Sequence, residues 1–267
     1  MDIYHFTPGD RPLLISVPHS GTYIPEAMKE RMTDAGLAVA DTDWYVDRLY
    51  DFAEEMGVGL LVATHSRYVV DLNRDPTGTE LYPGADNTEL CPTTTFGYED
   101  IYRTDLAPNS DEVSSRIERY WRPYHDALRR ELGRLQERFG RALLLDGHSI
   151  PSRVPRFFDG VLPDLNLGSG GQTTADQELV RRLGDSIGRA SGFTSVVDGR
   201  FKGGFITRTF GQPAEGVHAV QMELTQANYM KESHPYEYLP ERAEDLKNVL
   251  REFVVEMLRW AEDDSND

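Results

Sequence analysis

Cysteine is almost missing from this 267-residue sequence, in which Cys91 stands alone. A single thiol excludes a disulfide within the chain and any zinc site built from several cysteines. Long apolar runs are missing too. No stretch approaches the ~20 residues that a membrane-spanning helix needs. Residues 1–12 carry Asp2, Asp10 and Arg11 and lack a basic region followed by an apolar one, so no signal peptide is read and a cytoplasmic location is expected. Positive charge is scarce: 28 Lys and Arg face 45 Asp and Glu, a formal charge of −17. Nucleic acid and anionic lipid both need a basic surface to release counterions, so neither is an expected partner. An acidic substrate would need a local arginine cluster inside this negative shell.

What remains is an ordinary globular balance, with 39% hydrophobic and 27% charged residues. Repeats, low-complexity tracts and a dividing linker are all lacking, which predicts one catalytic domain over 1–267. Leu13–Val17 reads as a buried strand. Tyr45, Leu49, Phe52 and Met56 recur at helical spacing and predict a helix over 41–56, capped by Asp41 and stopped by Gly57. Strands follow at 58–64, 142–146 and 217–223, and helices at 110–139, 174–189 and 241–260. Pro123 predicts a kink in the helix over 110–139. Residues 76–108 form a long irregular excursion, the kind that often serves as a functional loop or lid, and 262–267 read as a frayed acidic tail. The expected class is α/β, a mostly parallel mixed sheet flanked by helices.

Two segments share one design. Leu13-Leu14-Ile15-Ser16-Val17-Pro18-His19-Ser20-Gly21 and Ala142-Leu143-Leu144-Leu145-Asp146-Gly147-His148-Ser149 each run an apolar strand into a histidine and a glycine turn. Ligands bind beyond the carboxyl ends of strands in open α/β sheets, so His19 and His148 are candidate metal ligands, with Asp146 placed to fix a tautomer. A hydrolytic zinc needs a third protein ligand and an open position. Asp43, in the expected first turn of the 41–56 helix, is the chosen carboxylate, with Asp41 and Asp47 as competitors. Their bland alternative is helix capping. Gln221 and Glu223 share one strand face, and a glutamate ending an apolar strand is costly unless paired or functional, which makes Glu223 the candidate base. Arg67, Asn73 and Arg74 in one segment, and Lys202 and Arg208 in another, supply the positive cluster. His5, His65, His125, His218 and His234 lack strand-end placement and read as structural or exposed.

Taken in order, Pro-His-Ser-Gly at 18–21, Asp-Thr-Asp-Trp at 41–44, Asp-Leu-Asn-Arg-Asp at 71–75, Asp-Gly-His-Ser at 146–149, Asp-Leu-Asn-Leu-Gly at 164–168, Lys-Gly-Gly-Phe-Ile-Thr-Arg at 202–208 and Gln-Met-Glu-Leu-Thr-Gln at 221–226 make the chain resemble the N-formylglutamate amidohydrolase family. The resemblance implies a fold like that of zinc carboxypeptidases and aspartoacylase, within the phosphorylase/hydrolase-like group. It also implies zinc-dependent hydrolysis of N-formyl-L-glutamate to formate and L-glutamate, the last step of a histidine-degradation route. By position, His19 and His148 match zinc histidines, Glu223 the base, Arg67 an oxyanion arginine and Asn73-Arg74 a carboxylate-binding pair. Arg74 and Arg208 are expected to clamp the two carboxylates of a small acidic N-acyl amino acid. One departure stands out: the acidic ligand of carboxypeptidases lies three residues after the first histidine, where this chain has Thr22. The ligand role therefore moves to 41–43, as in the muramoyl-amide amidases. Rival readings are a zinc deacylase of another N-acyl amino acid, aspartoacylase-like, and a non-catalytic carboxylate-binding protein. A His/Asp ligand set would also accept cobalt, manganese or iron.

Overall fold

Seven strands and eight helices are defined in a computed structural model that describes residues 1–81, 84 and 86–263. The strands are β1 (Tyr4–Thr7), β2 (Leu13–Val17), β3 (Gly59–Ala63), β4 (Ala142–Ile150), β5 (Leu165–Gly168), β6 (Ser195–Val197) and β7 (Val217–Thr225). They form one sheet in the order β1-β3-β2-β4-β7-β5-β6. β2 runs parallel to β3 and β4, β4 to β7, and β5 to β6, whereas β1 on β3 and β5 on β7 are antiparallel. The sheet is thus mixed and mostly parallel, as the alternating pattern predicts.

Its central strands are covered on both faces, which explains their near-continuous apolar character. Leu13, Ile15 and Val17 of β2 pack with Leu143 and Leu145 of β4 and Val220, Met222 and Leu224 of β7 against one helical layer. That layer holds α3 (Val46–Leu49), α6 (Gln177–Gly188) and α8 (Pro240–Asp263). The alternate residues Leu14, Leu144 and Ala219 face α5 (Arg122–Phe139) and α7 (Phe205–Phe210) on the other side. Each such Leu or Val contributes about 1.5–3 kcal/mol when fully buried. Two short helices, α1 (Glu26–Lys29) and α2 (Asp34–Leu37), follow β2, and α4 (Ser110–Arg116) leads into α5. Among the described residues no helix is long and apolar enough to cross a membrane.

The structure departs from the sequence reading in several places. The helix expected over 41–56 shrinks to α3 and a 3-10 turn at Asp51–Ala53. Tyr45 adopts a left-handed backbone with φ 62°, and the Asp43 N–H donates to the His19 carbonyl at 3.0 Å, so the chain before α3 cannot be helical. The segment 110–139 is helical throughout, but Ile117–Trp121 is a π turn immediately before Pro123. Proline has no N–H and crowds the carbonyl four residues back, and the wider turn accommodates both. Strand β4 does not stop at 146; it continues through Gly147 and His148 to Ile150. Positions 205–210 form α7, a helix that the sequence pattern does not predict. From 264 onward the acidic tail lies outside the described residues, as do 82, 83 and 85 of the 76–108 excursion.

Candidate active site

The sheet delivers the chemistry to one rim. β2 ends at Val17, and His19 emerges two residues later, beyond its carboxyl end. Gly21 is needed at the following turn, because a Cβ there would lie 2.4 Å from the Thr64 backbone. On β4, Asp146 and His148 share a face by the period-2 rule, and on β7 Gln221 and Glu223 do the same. The parallel register sets Asp146 opposite Gln221 and His148 opposite Glu223, so all four side chains project from the same side.

Asp43 reaches this rim from the irregular segment before α3. His148 Nδ1 lies 3.0 Å from Asp43 Oδ2, and His19 Nδ1 lies 3.7 Å from the same oxygen. The imidazole centroids are 4.9 Å apart. One ligand atom from each of His19, Asp43 and His148 falls within 4.8 Å of the others, and all three residues are buried. His19 Nδ1 and Asp43 Oδ1 have no hydrogen-bond partner. Buried polar groups are usually paired, so two open ligand atoms within this trio suit a bound ion. The remaining ring nitrogens are engaged: His19 Nε2 with Asp71 Oδ1 at 2.8 Å, His148 Nε2 with Asp146 Oδ2 at 3.0 Å. Carboxylate–histidine pairs of this kind orient metal-binding rings. Two imidazoles and a carboxylate therefore fit a first-row divalent ion with a position left open.

The charges agree. Burial opposes ionisation of Asp43, but the bond and charge of His148 and His19 outweigh it and hold the carboxyl well below its usual range. Asp71 is fully buried and also held well below that range, where Arg67, His19 and Arg74 overcome the burial penalty. For His148 the burial that disfavours its charge is overridden by Asp146 and Asp43, which push it well up. Clustered carboxylates around two imidazoles favour a cation.

Asp71 is the hub behind the trio. Besides His19 it accepts from Arg67 Nη2 at 2.5 Å and from the Asn73 N–H at 2.9 Å. Arg67 Nη1 also lies 3.6 Å from Asp43 Oδ1, and the Phe96 ring covers its guanidinium with the centroid 5.0 Å away. Asn73 Nδ2 sits 2.9 Å from His148 Nε2 while its Oδ1 accepts from the Ile206 N–H at 2.8 Å. A Cβ at position 204 would come within 2.2 Å of that amide, so only glycine fits there. Glu223 is buried, with Gln221 Nε2 donating to its Oε2 at 2.9 Å and Gln221 Oε1 accepting from the Gly204 N–H at 2.7 Å. Burial pushes the Glu223 carboxyl up to about 8, against the pull of His148 and Arg67.

A cavity opens onto this cluster. His19, Asp43, Arg67, Asn73, Arg74, His148 and Glu223 all line it. Arg208 does not; its Nε and Nη1 donate to the carbonyls of Gly203 and Leu81. Of the rival acids, Asp41 turns away and accepts from the Phe96 N–H at 2.9 Å, and burial raises its carboxyl to about 6 despite the Tyr68 hydroxyl and Arg67. Asp47 lies in the first turn of α3, outside the trio. Ser149 presents its backbone N–H to Asp43, and its hydroxyl accepts from Tyr229 at 2.7 Å. The sequence reading gives no site role of their own to Asp71, Phe96 and Arg200, the latter two on the cavity wall. Asp71 had a usable signal, an acid following Tyr68-Val69-Val70, which is the same argument that selects Glu223.

Comparison with known proteins adds a separate line. A family model described as N-formylglutamate amidohydrolase matches residues 11–230. The "N-formylglutamate deformylase" of Pseudomonas putida is 44% identical over 258 residues, covering 97% of this chain and 96% of its own. The Pseudomonas aeruginosa protein of the same description is 46% identical over 259 residues, with 97% of each chain covered. Among solved structures, the N-formylglutamate amidohydrolase of Ralstonia eutropha JMP134 superimposes with a TM-score of 0.79 at 29% identity over 98% of both chains.

Proposed function

The chain belongs to the N-formylglutamate amidohydrolase family, and from that premise we propose that it hydrolyses N-formyl-L-glutamate to formate and L-glutamate, using a divalent ion, zinc by preference, held by His19, Asp43 and His148. The observation that most supports this reading is the meeting, in one cavity, of that trio with a buried carboxyl and a buried guanidinium. The family resemblance further implies the last step of a histidine-degradation route, in the cytoplasm.

When bound, such an ion supplies Lewis acidity, polarising a carbonyl oxygen and lowering the pKa of water from ~15.7 to ~7. The chain's own residues do the rest. Asp71 and Asp146 fix the two rings so that both Nδ1 atoms face Asp43. Glu223 takes a proton from the attacking water as the new C–O bond forms. It returns that proton to the amide nitrogen as the C–N bond breaks, which frees formate and glutamate. A carboxyl with a raised pKa is suited to both transfers near neutral pH. Arg67, fixed by Asp71, donates to the oxygen on which charge develops. Arg74, braced by the Thr88 carbonyl and hydroxyl, pairs with a substrate carboxylate, with Asn73 beside it. These cations answer the problem set by a −17 chain: an anion is attracted locally although the whole molecule repels it.

Formate release from N-formyl-L-glutamate, run beside acetate release from N-acetyl-L-aspartate, tests the reading. Fast turnover of the formyl compound and little of the acetyl one is the expected outcome. Turnover of the acetyl compound alone would transfer the chain to another N-acyl substrate. Turnover of neither would sink the hydrolase reading.

A further inference from the structure

A substrate with two carboxylates needs two cationic anchors, and the sequence supplies a candidate for the second, Arg208, that does not line the cavity. Three arginines do: Arg67, Arg74 and Arg200. Arg67 is spoken for by Asp71 and Asp43 beside the trio. Arg74 stands close to the same centre, its Nη1 4.0 Å from Asp71 Oδ2. Arg200 enters from a different wall, on the segment between β6 and α7. Its Nε donates to the Phe157 carbonyl at 2.6 Å, and its guanidinium lies 5.4 Å from the Phe201 ring centroid.

That wall has the chemistry of a side-chain pocket. Phe157 and Phe201 line the cavity and belong to a small apolar cluster with Phe96 and Phe158, built on Ile150, Val154 and Leu162. Phe96 and Phe157 meet edge to face at 5.0 Å. Methylene groups are buried favourably against aromatic faces, and a guanidinium–carboxylate pair is stronger where such faces displace water.

Connectivity then assigns the ends. The α-carboxylate of an N-acyl amino acid sits one carbon from the scissile nitrogen and must stay near the reacting atoms, where Arg74 stands. The side-chain carboxylate lies two methylenes further out. We propose that Arg200 is the specificity-determining residue that binds this distal carboxylate, with Phe157 and Phe201 against the intervening methylenes. The assignment rests on the N-formylglutamate reading and adds to it the residue that selects glutamate over its neutral analogues.

N-formyl-L-glutamine has the same shape without the distal charge, so the test compares kcat/KM for the two substrates in wild type, Arg200→Gln, Arg200→Lys and Arg208→Gln. Hydrogen bonds to charged groups are worth enough to expect about a 10–100-fold wild-type preference for the glutamate compound. In Arg200→Gln that preference should collapse, through KM and not kcat, with the loss falling far more heavily on the glutamate compound than on the glutamine one. Arg200→Lys should restore part of it. Parallel losses on both substrates would make Arg200 a structural residue and overturn the proposal, as would collapse of the preference in Arg208→Gln instead. If wild type releases formate from neither compound, the substrate reading itself falls and the assignment with it; a wild type active on N-formyl-L-glutamate separates the two failures.

Discussion

Glu223→Gln is expected to lower kcat by about 10²–10⁴-fold, the usual worth of a positioned acid–base group, while KM changes little. The substitution keeps shape and volume, and the Gln221 amide can still donate to the remaining oxygen as it does now at 2.9 Å. Only the proton-carrying function is removed. The same variant should be more stable in its metal-free form. Burial raises the Glu223 carboxyl from 4.5 to about 8. Through that window the unfolded chain ionises more readily than the folded one, so folding is penalised as pH rises. A neutral amide escapes the penalty. Steady-state kinetics with a thermal melt at neutral pH in chelator checks both halves. An active Glu223→Gln enzyme would remove the assigned base, and a lower melting temperature would contradict the account of its burial.

Arg67→Ala should cost about 10²–10³ in kcat, the ~2.7–4 kcal/mol typical of a lost oxyanion donor. It should also destabilise the fold. Arg67 is buried against Asp71 and Asp43, and removing one partner of a buried pair typically costs about 3–5 kcal/mol. Against a usual total of about 5–15 kcal/mol, that loss can leave part of the sample unfolded, so activity must be normalised to folded protein. Arg67→Lys separates the two effects: the charge near Asp71 stays, while the fork that reaches Asp71 and the substrate oxygen together is lost. Near-normal melting with a depressed kcat is expected for it. A rise in KM alone, in either variant, would show that Arg67 binds ground state and transition state equally and does not act as an oxyanion donor.

Why some of this was legible in the sequence follows from the residues themselves. His19 and Glu223 stand at or near the ends of strands whose apolar runs announce them, and period-2 alternation fixes which neighbours share their face. For His148 the pattern predicts a strand that stops before the histidine, and the structure differs. Gly147 is strand and not turn, and the histidine reaches the site from within β4 because its register sets it opposite Glu223. Asp43 was chosen on an assumed helix that the left-handed backbone at Tyr45 forbids; its place depends instead on the hydrogen bond to the His19 carbonyl. Arg200 and Phe96 carried no periodic signal at all. Both lie on irregular segments whose paths are set by distant contacts, such as Phe96 N–H on Asp41 and Arg200 on the Phe157 carbonyl. The 202–208 motif drew attention to Arg208, the arginine inside it, whereas Arg200, the cavity-lining one, stands just before it.

The central claim is that His19, Asp43 and His148 hold an ion required for hydrolysis. It is tested most directly by metal analysis of the purified protein together with formate release from N-formyl-L-glutamate before chelation, after chelation and after return of zinc. One bound metal per chain is expected, with turnover that disappears with the metal, returns with it, and fails to return in His148→Ala. Undiminished formate release from protein stripped of metal would contradict the claim and leave the trio without its assigned role.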